Sequence, residues 1–278
     1  MACVTPLQLK KETGDGVPRF HYVPCGKCGK CQEARRNQWT FRNQVEHKHA
    51  KSSQWVTLTY EDSKIPKDPE GIPVLSKDDL QRFFKRLRKA NAAHWLEQVR
   101  YYAVGEYGTD TKRPHYHILL YNLHPNVYPK IKAIWGNGLV YLAPITDADI
   151  HYTTKYHLNK DVNSVYPVPE FTLMSRRPAI GFQYIEPNME LHQSNLQTFV
   201  YQNGHKTLMP RYYKEKIFSK EQRFYIMANA QTETKQKTEQ DEQYLKTKLF
   251  ENPTEELFKR NFENAKKIKH KAKKANKL

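Results

Sequence analysis

The clearest patterning lies between residues 54 and 165. QWVTLTY (54–60) is rich in β-branched and aromatic residues and predicts a strand. After a Pro- and Gly-interrupted connection, Ser76 stands as an N-cap with Asp79 three residues on. Leu80, Phe83, Phe84 and Leu87 then recur at helical spacing, so a helix is predicted over 77–90. VRYYAVGEYG (99–108) and PHYHILLYNL (114–123) predict two strands, and the short polar link between them predicts an antiparallel hairpin. GLVYLAP (138–144) predicts a fourth strand. Thr146 caps a further helix whose third position is Asp149.

The flanks are less regular. Residues 1–31 are loop-like and carry every cysteine, and 32–51, free of Gly and Pro, predict a basic helix. Residues 166–228 are aromatic, basic and Pro-punctuated without clean periodicity, and no element is assigned there. From 229 onward Gln, Glu, Thr and Lys dominate, and the last twenty residues hold nine Lys or Arg and one acid. That tail reads as solvated helix or disorder. No internal repeat is found. The pattern gives an α+β class in three parts: a Cys-rich segment with its basic helix (1–53), a sheet-and-helix domain with an extension (54–228), and a basic tail (229–278).

Charge narrows the function. Among 278 residues, 46 Lys and Arg against 29 Asp and Glu leave +17, which predicts an anionic partner. No apolar run approaches the ~20 residues of a membrane span, and the first eleven residues lack an apolar stretch of signal-peptide length. The chain is therefore read as neither membrane-bound nor secreted. In a reducing compartment the bunching of Cys25, Cys28 and Cys31 suggests metal more than disulfides. With Cys3 they supply four thiols for a tetrahedral zinc site. An iron–sulfur cluster and free thiols remain the alternatives, the first lacking the usual Cys-Pro.

Two constellations carry chemistry. His115 and His117 are two apart on a predicted strand, so both imidazoles share a face while Tyr116 points away. His47 and His49 have the same spacing on a predicted helix, where they are about 200° apart and cannot share an ion. Glu106 lies on the strand expected to pair with the histidines, and a carboxylate in an apolar strand needs a partner. Two imidazoles and one carboxylate with open positions suit Mg²⁺ or Mn²⁺ on a phosphate. The plain alternative pairs Glu106 with Arg100 or Arg113. Second, Tyr152 and Tyr156 sit one turn apart on the predicted helix, with Lys155 between them. A phenol is a possible nucleophile, and a nearby cation favours its anion. The spacing alone is ordinary in a chain with 18 tyrosines.

Taken with the blocks VPCGKCGKC (23–31), WVTLTY (55–60), GEYG (105–108), RPHYH (113–117), YTTKY (152–156), MSRRPAIGFQYIE (174–186) and PRYYKEKIF (210–218), these residues resemble the HUH endonucleases. Within that superfamily the chain is most similar to the replication initiation proteins of the gokushovirus branch of the microviruses. The resemblance implies a central antiparallel sheet of about five strands flanked by helices. It implies one divalent ion on His115, His117 and Glu106, and attack by Tyr152 or Tyr156 on a scissile phosphate of single-stranded or supercoiled origin DNA. A 5′-phosphotyrosine and a 3′-hydroxyl primer would result, for use by the host helicase and polymerase in the bacterial cytoplasm. Asp110 and Thr111 lengthen the turn before the histidines. Candidate DNA contacts are Lys112, Arg113, Arg176, Arg177, Arg211, Tyr212 and Tyr213. Two other classes compete. A non-catalytic, zinc-containing single-strand-binding protein explains the charge but not the histidine and tyrosine pairs. A two-His-one-carboxylate oxygenase predicts an apolar cavity rather than +17.

Overall fold

A computed structural model describes residues 3–11, 19–108, 110–159, 166–202, 204–248 and 250–274. Its elements run β1 (Leu7–Lys11), β2 (Arg19–Val23), α1 (Gly29–His49), β3 (Ser53–Thr59), α2 (Lys77–Asn91), β4 (Arg100–Tyr107) and β5 (Pro114–Tyr121). There follow α3 (Ile131–Trp135), β6 (Val140–Pro144), α4 (Asp147–Asn159), β7 (Phe171–Met174), α5 (Ile185–Ser194), β8 (Phe199–Gln202), β9 (His205–Leu208), α6 (Arg211–Ile217), α7 (Lys220–Thr247) and α8 (Pro253–Lys274). The chain forms two compact units, one of Trp39–Tyr156 with Lys160–Glu186, the other of Met1–Gln38, His157–Asn159 and Pro187–Leu278.

The first unit is built on a five-stranded sheet in the order β6-β3-β5-β4-β7, antiparallel throughout. The expected α+β architecture is thus the observed one. Successive side chains alternate between the two faces. Val56, Leu58, Ala103, Tyr116, Ile118 and Leu120 are buried on one face together with Leu80, Phe83, Phe84 and Leu87 of α2 and Trp135. Each such fully buried side chain contributes about 1.5–3 kcal/mol. Ser76 caps α2 as expected, its hydroxyl accepting the Asp79 N–H at 3.1 Å. Tyr116 belongs to this face and is tied down by polar contacts to Ser76 and to the Tyr60 hydroxyl, 2.8 Å away.

The other face buries Tyr102, Val104, Leu119 and Tyr121 with Ile145, Ile150 and Ile180. The later half of α1 and α4 cover it. Thr40 and Thr154 share a buried hydrogen bond of 2.7 Å between these helices, and the Trp39 ring tilts against Tyr102 at 5.2 Å. Beneath α1, Glu46 and Arg100 form an ion pair that is 1% and 6% exposed. Gly105 sits where a Cβ would press Leu75, Tyr116 and Phe171 at 3.2 Å each. The close packing next to Glu106 therefore depends on the missing side chain.

In the second unit β1 and β2 pair antiparallel, as do β8 and β9. Val200, Met209, Tyr213, Ile217 and Phe218 are buried. Ser219 and Gln222 close a reciprocal capping box at the start of α7, which packs against α8. The tail is thus helical through residue 274. Among the described residues no helix is long and apolar enough to cross a membrane.

Candidate active site

The register of β4 and β5 sets Glu106 directly opposite His115 and Val104 opposite His117. All three chemistry-bearing side chains therefore emerge from one face. Glu106 Oε1 lies 3.2 Å from His115 Nε2 and 3.1 Å from His117 Nε2. One ligand atom from each residue falls within 4.8 Å of the others. Burial pushes the Glu106 carboxyl up, yet the hydrogen bonds to His115 and His117 outweigh it and hold the group at about 2. Burial lowers His115, but the contact with Glu106 and the Arg113 carbonyl raise it overall.

The far ring nitrogens fix the orientation. His115 Nδ1 donates to the Arg113 carbonyl at 3.1 Å. His117 Nδ1 is 3.0 Å from the Thr57 hydroxyl on β3, and the Trp55 indole stacks on the His117 ring at 5.3 Å with 5° between planes. Because a carbonyl only accepts, His115 must carry its proton on Nδ1. In a neutral ring Nε2 is then a lone pair aimed at a carboxylate oxygen. Two facing acceptors call for a cation between them or a second ring proton, and this donor set of two imidazoles and a carboxylate fits a divalent ion. The alternative partners of Glu106 are engaged elsewhere. Arg100 pairs with Glu46, and Arg113 pairs with Asp62 and donates to the Tyr60 carbonyl at 2.7 Å.

Helix α4 brings the phenol. Thr146 caps it, with Asp149 Oδ2 accepting from the Thr146 N–H and hydroxyl at 2.8 and 2.6 Å. The Tyr152 ring stands edge-on to His117 at 5.2 Å, and the Lys155 ammonium lies 4.2 Å from the Tyr152 ring centroid. Tyr152 is 41% exposed, open enough to meet a substrate. Burial and then the Glu106 carboxylate push its hydroxyl up to about 12, and burial lowers Lys155. Tyr156 lies one turn further along α4, and its side chain is outside the described residues.

The second unit gathers Cys3, Cys25, Cys28 and Cys31, whose four sulfurs lie within 4.8 Å of one another. The Cys25 N–H donates to Cys3 Sγ at 3.2 Å, and the N–H groups of Lys27 and Cys28 donate to Cys25 Sγ at 3.4 and 3.3 Å. Burial raises the Cys25 thiol, but hydrogen bonds from Thr5 and these two amides bring it down to about 6. The cluster is metal-competent.

The basic and aromatic candidates are scattered. Arg176 and Arg177 are exposed and line a cleft on the first unit. Lys112 is exposed with φ at 54°, and Arg113 is engaged as above. Arg211 forms an i,i+4 ion pair with Glu215 at 2.6 Å, and Tyr212 is half-buried. Tyr213 must be corrected: it is fully buried, so its ring belongs to the core and offers no stacking face. Sequence reasoning missed Trp55, Thr57 and Glu46. Trp55 and Thr57 share the face of His117 by strand alternation, which was the available sign.

Residues 53–161, from β3 through α4, match the profile of the replication-associated protein ORF2 family. The replication-associated protein ORF2 of Spiroplasma virus 4 is 30% identical over 230 residues, covering 68% of this chain and 71% of that protein. The replication-associated protein VP4 of Bdellovibrio phage phiMH2K is 28% identical over 255 residues, 77% of this chain and 76% of that protein. The replication-associated protein ORF4 of Chlamydia phage 1 is 24% identical, covering 75% of this chain and 57% of that protein. No solved structure matches the chain. The chain belongs to this family of microvirus replication-associated proteins.

Proposed function

We propose that the protein initiates rolling-circle replication by nicking and rejoining single-stranded viral origin DNA as an HUH-type tyrosine endonuclease. The observation that carries this reading is the convergence of Glu106, His115 and His117 within 4.8 Å beside Tyr152, inside the segment that matches the family. These three residues would hold Mg²⁺ or Mn²⁺, which when bound supplies Lewis-acid polarisation of the scissile phosphate. Tyr152 Oη forms a bond to phosphorus while the bond from phosphorus to the 3′-oxygen breaks. The phenol proton passes to solvent, and the departing oxygen takes up a proton to become the 3′-hydroxyl. Lys155, whose ammonium lies against the Tyr152 ring, favours the phenolate. The phosphotyrosine keeps the phosphodiester's energy, so rejoining needs no nucleotide cofactor. Tyr156, one turn on, would hold or cut the second end. The four cysteines would hold a structural Zn²⁺. The work is done in the host cytoplasm, with host helicase and polymerase using the primer.

Incubation with an end-labelled single-stranded origin oligonucleotide and Mn²⁺, followed by denaturing electrophoresis, tests this reading. A protein–DNA adduct is expected from wild type. Tyr152→Phe and Tyr156→Phe should each retain some adduct but release closed circles poorly, and the double variant should form none. An adduct from the double variant would place the nucleophile elsewhere. Binding without any adduct from wild type would favour a purely DNA-binding role.

A further inference from the structure

Beside β7, on the same unit as Glu106 but away from it, Arg88, Arg176 and Arg177 line a cleft of about 440 Å³. None of its lining residues is acidic. Tyr101 and Met174 give it an apolar floor, and Gln81 and Gln98 add amides that both donate and accept. Tyr101 and Glu106 are separated on β4 by an odd number of steps, so their side chains take opposite sheet faces. The cleft is therefore separate from the histidine cluster.

The turn that presents Arg176 and Arg177 is fastened from beneath. The Ser175 N–H donates to the Tyr101 carbonyl at 2.9 Å, and the Tyr101 N–H donates to the Ser175 hydroxyl at 3.1 Å. Arg100 donates to the carbonyls of Pro178 and Ala179 at 2.9 and 3.0 Å. Its partner Glu46 accepts the Gly181 N–H at 2.7 Å. A buried ion pair costs desolvation that only further hydrogen bonds offset, and here these bonds fall on residues 178–181. The exposed arginines just before them are thus held in place before any ligand arrives. Arg88 is also positioned, its Nε 3.3 Å from the Val99 carbonyl and its guanidinium 5.3 Å from the Tyr101 ring centroid.

Planar guanidinia match phosphate oxygens, an aromatic floor suits a base, and amides can meet a base edge. We propose that this cleft is a second subsite for the substrate strand, with Arg176 and Arg177 on backbone phosphates and a base against Tyr101. It rests on the nicking reading only for the identity of that strand.

The test measures fluorescence anisotropy of a labelled single-stranded oligonucleotide with the full chain in EDTA, across a salt series. Arg176→Ala with Arg177→Ala should weaken binding by about tenfold per side chain and flatten the salt slope by about 1.4, roughly 0.7 per phosphate. Arg176→Lys with Arg177→Lys should keep the slope and part of the affinity. Lys130→Ala with Lys132→Ala removes the same charge from exposed positions outside the cleft and should have the smaller effect. Equal behaviour of the cleft and control variants overturns the subsite. So does capture of dTMP as tightly as the oligonucleotide, which would make the cleft a free-nucleotide pocket. A wild-type chain that binds no oligonucleotide removes the subsite and the nicking reading together, whereas wild-type binding with an unaffected cleft variant removes the subsite alone.

Discussion

The histidine cluster and the cysteine cluster each bring their ligand atoms within 4.8 Å, but by opposite means. Glu106, His115 and His117 are fixed by the hydrogen-bonded register of two central strands and by a further layer of Arg113, Thr57 and Trp55. Their geometry is set by a buried sheet, and three ligands leave coordination positions open. Cys3, Cys25, Cys28 and Cys31 come from the segments flanking a two-stranded hairpin and from the first turn of a helix, with amide-to-sulfur hydrogen bonds as their main support. Four thiols close the coordination sphere. A site that must admit substrate is built on rigid elements with room to spare, while a site that only stabilises can rely on the ion to gather its ligands.

Breaking the first cluster should give the largest effect. His115→Ala or His117→Ala is expected to lower Mn²⁺-dependent nicking by about 10³-fold or more, with single-strand binding at moderate salt nearly unchanged because that term is electrostatic. Near-normal nicking would remove both residues from the metal site. Breaking the second should act on stability instead. Wild-type protein should carry about one zinc per chain by atomic emission, and Cys28→Ser should lose it and melt about 10 °C lower. Identical melting of zinc-loaded and zinc-free protein would refute a structural ion. The smallest expected change sharpens the contrast. Thr57→Val keeps the shape of the side chain but removes the hydroxyl beside His117 Nδ1. Affinity for Mn²⁺ by calorimetry should fall about 10–100-fold with melting nearly unchanged. An equal affinity would show that Trp55 stacking alone orients the ring.

Much of the first unit was readable because its signals are local. Strand alternation put His115 and His117 on one face, and caps at Ser76 and Thr146 fixed two helix starts. The hairpin of β4 and β5 carried Glu106 to the histidines. Other features depend on distance in the chain. β7 has four residues, too few to show a period, and exists because β4 offers an open edge. Glu46 meets Arg100 across 54 positions, so neither residue announces its partner. Cys3 joins the other cysteines only once the first strands pair. Tyr213, in a basic aromatic run, looks like a surface residue until α6 turns it inward.

Gly29 stands between Cys28 and Cys31, where a Cβ would lie 2.3 Å from the Ala265 carbonyl oxygen of α8. Lys30 adds a hydrogen bond to Asn261 at 2.7 Å. The cysteine loop and the lysine-rich final helix therefore meet with no slack at all. Even one methyl group at position 29 would have to push the helix off its seat. The mechanical result is that the end of the chain rests on its beginning: whatever fixes the cysteine loop also fixes where the positive charge of the last helix is carried, and whatever loosens that loop loosens the seat.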